Sequence, residues 1–143
     1  MSVTLSKNNF FTVDLGTAIH NLTTASLKVA FTDTAPTAGG THVYADIASP
    51  LATTNIVGGA SSLIIPSTTY TQSGGTATLS AGTLTLTSQT GNFGAFRYVV
   101  VYDDSSASKN VIGWYDYGSE VTLNSGDTFT VGFDQSNGVI TIA

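Results

Sequence analysis

The 143-residue chain contains no cysteine. That absence excludes thiol nucleophiles, disulfide staples and cysteine-ligated metal sites together. Charge is nearly as scarce. Asp, Glu, Lys and Arg make up 9% of the residues, against about 25% in typical globular domains. The four basic residues, Lys7, Lys28, Arg97 and Lys109, are dispersed, and the formal net charge is −5. Binding to nucleic acid is therefore not expected, because phosphate contacts need clustered Lys and Arg. Long apolar runs are missing too. No segment approaches the ~20 residues of a membrane span, and MSVTLSKNNFF lacks the apolar stretch of a secretory signal. A soluble protein without a membrane partner is the expectation.

What fills the chain instead is Thr, Ser and Gly around a 41% hydrophobic complement. Thr is β-branched and suits a half-exposed pleated strand, so the composition leans towards an all-β fold. A chain of this length can bury roughly 68–70% of its unfolded surface. It is read as a single β domain over residues 1–143, with 1–11 as a candidate N-terminal arm anchored by Phe10 and Phe11.

Hydrophobic periodicity gives the elements. In TVDLGTAIHNL, the spacing of Val13, Leu15, Ala18, Ile19 and Leu22 predicts one short helix, with Thr12 as cap and Asp14 in its first turn. From Ser26 the period changes to two, and Leu27, Val29 and Phe31 share a face. DTAPTAGGT reads as a loop, THVYADIA as a short strand, and TATLSAGTLTLTS as two strands about Ser80-Ala81-Gly82. FRYVVVYD is apolar on both faces, which predicts a central strand with Phe96, Tyr98, Val100 and Tyr102 on one side. DSSASKN is its loop and VIGWYDYG the returning strand. A turn at Asn124-Ser125-Gly126 leads to DTFTVGFD, where Phe129, Val131 and Phe133 point inward. Asn137-Gly138 is a strong hairpin signal. Short strands with turn signals between them predict an antiparallel β-sandwich or barrel-like domain.

The search for chemistry centres on RYVVVYDDSSASKNVIGWYDYG. Asp103, Asp104, Ser105 and Ser106 carry oxygens suited to Ca²⁺, but the regular acidic spacing of a calcium loop is missing. They read better as a solvated hairpin tip bonding its own backbone. Alternation puts Asp116 on the face of Ile112 and Trp114, so it reads as a buried acceptor with Arg97 across the hairpin as its ion-pair partner. Trp114, Tyr115 and Tyr117 alternate, so they do not form one sugar-stacking platform; Trp114 reads as core. His20 is expected on the short helix as a packing or capping residue, and neither it nor His42 has a spaced metal-ligand neighbour. No serine lies in a nucleophile elbow, and the glycine pairs at 39–40, 58–59 and 74–75 are loop glycines. Asn21-Leu22-Thr23 is a glycosylation sequon, meaningful only in a eukaryotic secretory context. The expectation is a chain with no catalytic residues, no metal and no cofactor.

Three segments in order carry a resemblance: LGTAIHNLTTASLKVAFTDTAPTAGGTHVYADIA, then GAFRYVVVYDD, then IGWYDYGSEVTLNSGDTFTVGFDQSNGVITIA. Together they resemble a family of small virion structural proteins of tailed bacteriophages, across most of Leu15 to Ala143. The chain departs from that pattern at Asn55-Ile56-Val57-Gly58-Gly59, where similar proteins tend to show a run richer in glycine and tyrosine. The resemblance implies a noncatalytic capsid decoration (cement) protein on the exterior of the phage head. Its partners would be the major capsid protein and copies of itself, with a homotrimer favoured. Two alternatives stand beside it. One is a tail or connector component; the other is a carbohydrate- or receptor-binding module using Tyr70, Tyr115 or Tyr117.

Overall fold

A computed structural model describes residues 4–133 and 138–142. The fold is all-β, antiparallel and sandwich-like, without a closed barrel. Among the described residues, nine strands run in chain order as β1 (Ser6–Lys7), β2 (Leu27–Thr32), β3 (Thr69–Ser73), β4 (Thr76–Ser80), β5 (Leu84–Thr87), β6 (Phe93–Asp103), β7 (Val111–Leu123), β8 (Thr128–Val131) and β9 (Ile140–Ile142), with one α-helix, α1 (Phe11–Gly16). They pair as a four-stranded sheet β1-β7-β6-β2, a three-stranded sheet β3-β4-β9 and a two-stranded ribbon β5-β8.

β6 is central, as its two apolar faces predict. Val99, Val100 and Val101 are all fully buried, so consecutive side chains enter different cores. Val99 and Val101 join the main core with Leu27, Val29 and Phe31 of β2, Leu79 of β4, Leu84 and Leu86 of β5, and Phe129 and Val131 of β8. Val100 and Tyr102 face a smaller cluster with Ala30, Ile47 and Val111, against which Tyr44 and Trp114 pack. Phe129, Val131 and Phe133 are buried as expected.

Bulges correct two face assignments. The β6–β7 register shifts between Phe96 and Tyr98 and again between Val101 and Tyr102. A bulge reverses the alternation beyond it. Phe96 therefore joins Val99 and Val101 in the main core, not Val100 and Tyr102. On β7, Ile112 falls between the paired Val111 and Gly113 and enters the main core, while Trp114 packs outside on the smaller cluster.

The helix is shorter than its apolar spacing predicts. It begins at Phe11 without a Thr12 cap and buries Phe11 and Asp14. Val13 and Ile19 stay 60% and 43% exposed. Gly16 weakens helix propagation, the Thr17 hydroxyl bonds back to the Val13 carbonyl, and Ala18 takes a left-handed conformation at φ 61°. His20 consequently lies in the irregular connection beyond the helix.

Other connections depart from the linear reading. THVYADIA forms a single bridge at Val43 and a 3-10 turn over Tyr44–Asp46. β4 and β5 belong to different sheets, and β9 pairs with β4. Of the Asn137-Gly138 hairpin signal, Asn137 lies outside the described residues. Of the candidate arm, Met1 to Val3 lie outside them as well. From Ser6 onward that segment is part of the fold: Ser6–Lys7 pair with Gly113 and Trp114. Phe11 is fully buried in the chain's own main core. Gly113 permits this approach, since a Cβ there would collide with the Ser6 carbonyl.

The main core centres on aromatic edge contacts. Phe31 meets Phe93, Phe96 and Phe129 at centroid distances of 5.5, 4.8 and 6.1 Å, each near-perpendicular. Phe31→Ala should cost about 3–5 kcal/mol, read as a lower urea midpoint with an unchanged slope. Gly16→Ala should shift the midpoint the other way by up to about 1 kcal/mol, because nothing lies within 4 Å of the added methyl.

Candidate functional site

The two histidines, 22 residues apart in the sequence, are brought by the fold to within 4.0 Å of one carboxylate oxygen. Asp14, on the buried face of α1, accepts a hydrogen bond from His42 Nε2 at 2.8 Å and another from Asn110 Nδ2 at 2.9 Å. His20 Nε2 lies 4.0 Å from the same oxygen. On its other side, His20 Nδ1 donates to Asp103 Oδ2 at 2.9 Å. Asp103 closes β6, and its second oxygen accepts from the Ser105 backbone at 3.0 Å and from the Ser105 hydroxyl. Ser106 completes the loop by accepting from the Asn110 amide at 2.8 Å and donating to the Asp103 carbonyl at 2.9 Å.

This network ties four pieces of chain together: α1, the irregular segment after it, the loop before the 3-10 turn, and the β6–β7 connection. His20 is buried, and its Nε2 is the one buried side-chain nitrogen or oxygen without a hydrogen-bond partner among the described residues. His42 is partly exposed, with the Phe10 ring stacked on it at 4.1 Å and 21°. Among the described residues, no three His or acidic side chains are set as a metal site. The carboxylates receive imidazole, amide and hydroxyl protons instead. The arrangement is a polar clasp inside a largely apolar body.

The structure thus moves Asp103 from the expected solvated tip into the interior and takes His20 off the helix. Asp14 and Asn110, which no spacing signal marked, are central members. Desolvation pushes the Asp103 carboxyl up, but the hydrogen bonds from His20 and Ser105 outweigh it and hold the group below the ordinary carboxylate range. Asp104 points elsewhere, pairing with Lys28 at 3.0 Å and Lys109 at 3.4 Å. Burial opposes its ionisation, and the two ammonium groups still keep its carboxyl below the usual range.

Arg97 and Asp116 form the expected cross-hairpin pair, bidentate at 2.7 and 2.9 Å. Both side chains are about two-fifths exposed, so Asp116 is not the buried acceptor predicted. Hydrogen bonding to each other raises the arginine and lowers the aspartate. Beyond this pair the ladder steps from Tyr98–Asp116 to Phe96–Val121, and Tyr117 to Glu120 bulge into solvent with Gly118 at φ 92°. Tyr115 is buried against Phe133 in the main core, whereas Tyr117 is 40% exposed and meets Phe129 edge-on. Tyr70 also packs on the main core. Of the three tyrosines considered for sugar stacking, Tyr117 alone presents an exposed ring.

A cavity of about 240 Å³ opens beside the smaller cluster, walled in part by Lys28, Tyr44, Pro50, Leu51, Leu63 and Tyr102. It falls below the ~300–1,000 Å³ of ordinary small-molecule sites. The Tyr44 and Tyr102 rings lie 4.9 Å apart. Burial, with Asp104 and Tyr44 nearby, pushes the Tyr102 hydroxyl up to about 12. The Tyr102 hydroxyl is therefore neutral at physiological pH, and Lys28 in the same wall is paired with Asp104.

No family model, curated protein or solved structure matches the chain.

Because Asp103 is held below its unfolded pKa, its stabilising contribution is present above about pH 4. It fades as the pH falls through the folded value. Asp103→Asn should therefore lower stability at pH 7 by about 1.5–3 kcal/mol, the worth of hydrogen bonds to a charged group. The gap to wild type should narrow below pH 4 in urea titrations run from pH 7 to pH 2. A gap of constant size would show that the charge of Asp103 contributes nothing.

Proposed function

We propose that the chain is a noncatalytic virion structural protein of a tailed bacteriophage: a decoration protein that binds the outside of the assembled head and stabilises it. The observation that carries this reading is where the ionisable groups go. Asp14, Asp103, Asp104 and Asp116 are bonded to His, Lys, Arg or Asn side chains of the same chain. Asp46 and Asp127 cap their own backbone turns. Most of the charged side chains are spent on holding the body rigid; Lys7, Asp33 and Glu120 are exposed on a surface otherwise rich in Thr, Ser and Gly with a few apolar residues. Such a surface loses little hydration energy when a large contact forms.

The three segments that resemble phage virion proteins support the same reading. They supply β2, β6 and β7, three of the four strands of the larger sheet, together with both histidines of the clasp. A stiff antiparallel body suits a cement role, since a part that reinforces a shell must not deform before the shell does. Repetition on a lattice supplies the strength. Copies held side by side convert weak single contacts into firm retention through effective concentration. The major capsid protein and further copies of the chain, in a homotrimer, are the partners this function requires.

Particles stripped of the protein should lose resistance to heat and osmotic shock, and purified protein added back should restore it. Gold-labelled antibody should mark the head surface in electron micrographs. Label confined to the tail would replace the decoration reading with a tail or connector role. Resistance unchanged by stripping would count against any cement function.

A further inference from the structure

The outer edge of β3 is built without the devices that keep sheet edges apart. Thr69–Ser73 reads TYTQS, with every residue but Tyr70 exposed. It pairs with β4 through five successive partners, Thr69–Ser80 to Ser73–Thr76, without a register shift. Gly74 and Gly75, both at positive φ, make the two-residue turn of this hairpin, the geometry that matches strand twist. On its other side β3 has no neighbour among the described residues. Natural edges are blunted by lysine, proline, a bulge or an inward charge. β3 carries none of these within its five residues, so a row of backbone donors and acceptors unpaired by any described strand faces outward.

We propose that β3 pairs with β3 of a second copy of this chain, antiparallel about a two-fold axis at Thr71. The strand's own sequence favours this occupant. Centred on Thr71, the pairing sets Thr71 against Thr71, Tyr70 against Gln72 and Thr69 against Ser73. Every pair is neutral, and threonine pairs across strands are favourable. The chain already makes such a contact internally, where Thr85 and Thr130 hydroxyls meet at 3.2 Å across β5–β8. Tyr70 stays packed on the main core, so its strand is held in place before a partner arrives. The result is a six-stranded sheet, β9-β4-β3-β3-β4-β9, running through both copies. A two-fold contact is isologous; it joins copies pairwise and is separate from any three-fold contact. It rests on the proposed virion role only for its purpose, which is to link neighbouring copies on the shell.

Sedimentation equilibrium on the purified full chain, over a series reaching millimolar concentration, tests the pairing. Wild type should show reversible pairwise association, monomer to dimer, or trimer to hexamer where the three-fold contact also forms in solution. Thr71→Lys and Thr71→Glu each place like charges face to face and should weaken association roughly tenfold. An equimolar mixture of the two should restore it, because the heterodimer opposes Lys to Glu. Circular dichroism checks that each variant is folded. As a second variant, the chain carrying both Thr69→Glu and Ser73→Lys should associate more tightly than wild type, since each Glu then faces a Lys of the other copy. A wild type monomeric, or trimeric, at every concentration would overturn the proposal. So would Lys and Glu variants that associate like wild type, or a mixture that gains nothing over either alone. Particle binding by Thr71→Lys is read separately: retained binding with lost self-association supports this edge contact, and lost particle binding alone bears on the virion role.

Discussion

The burial of β6 on both faces organises this molecule. A strand with one solvated face can slide or fray at modest cost, but β6 presents Val99 and Val101 to one core and Val100 and Tyr102 to another. Shifting its register by one residue would exchange the two sets and empty both cores at once. β2 and β7 are held by the same constraint because they flank it. The two smaller sheets then close over the main core, where four phenylalanine rings meet largely edge to face. Such geometry lets aromatic quadrupoles attract while filling space.

At the end of β6 the apolar scheme gives way to the polar clasp. Asp103 terminates the strand inside the protein, where an ionised carboxylate is tolerated only if its oxygens are hydrogen-bonded. His20 and Ser105 provide those bonds. Asp14 is treated likewise by His42 and Asn110. The two carboxylates, on α1 and β6, thereby fix segments that α1 is too short to organise. A six-residue helix has little stability of its own, so its position depends on Phe11 in the core and Asp14 in the clasp.

Legibility in the sequence followed the range of the interaction. β2 and β8 could be read because apolar period two is a local property that the sheet only has to accept, and β6 because an unbroken apolar run is equally local. The Arg97–Asp116 pair was within reach because opposite charges on neighbouring hairpin strands have few other partners. The faces of Phe96 and Ile112 could not be read, since a bulge is an agreement between two strands and leaves no mark on either alone. The helix was overextended because Val13 and Ile19 mimic an amphipathic stripe, whereas the buried face holds Phe11 and a hydrogen-bonded aspartate. His20 and Asp103 stand 83 residues apart, so no spacing rule connects them.

The sequence by itself determined an all-β body with few charges, no thiol chemistry and a doubly buried strand at Val99 to Val101. Composition and short-range alternation act on each segment before any distant contact exists. Tertiary structure alone decided which strands became neighbours, which side of each bulge faced the core, and that both histidines would serve buried aspartates. Those outcomes depend on desolvation and hydrogen-bond geometry between segments far apart in the chain, and such forces arise only once the sheets have packed.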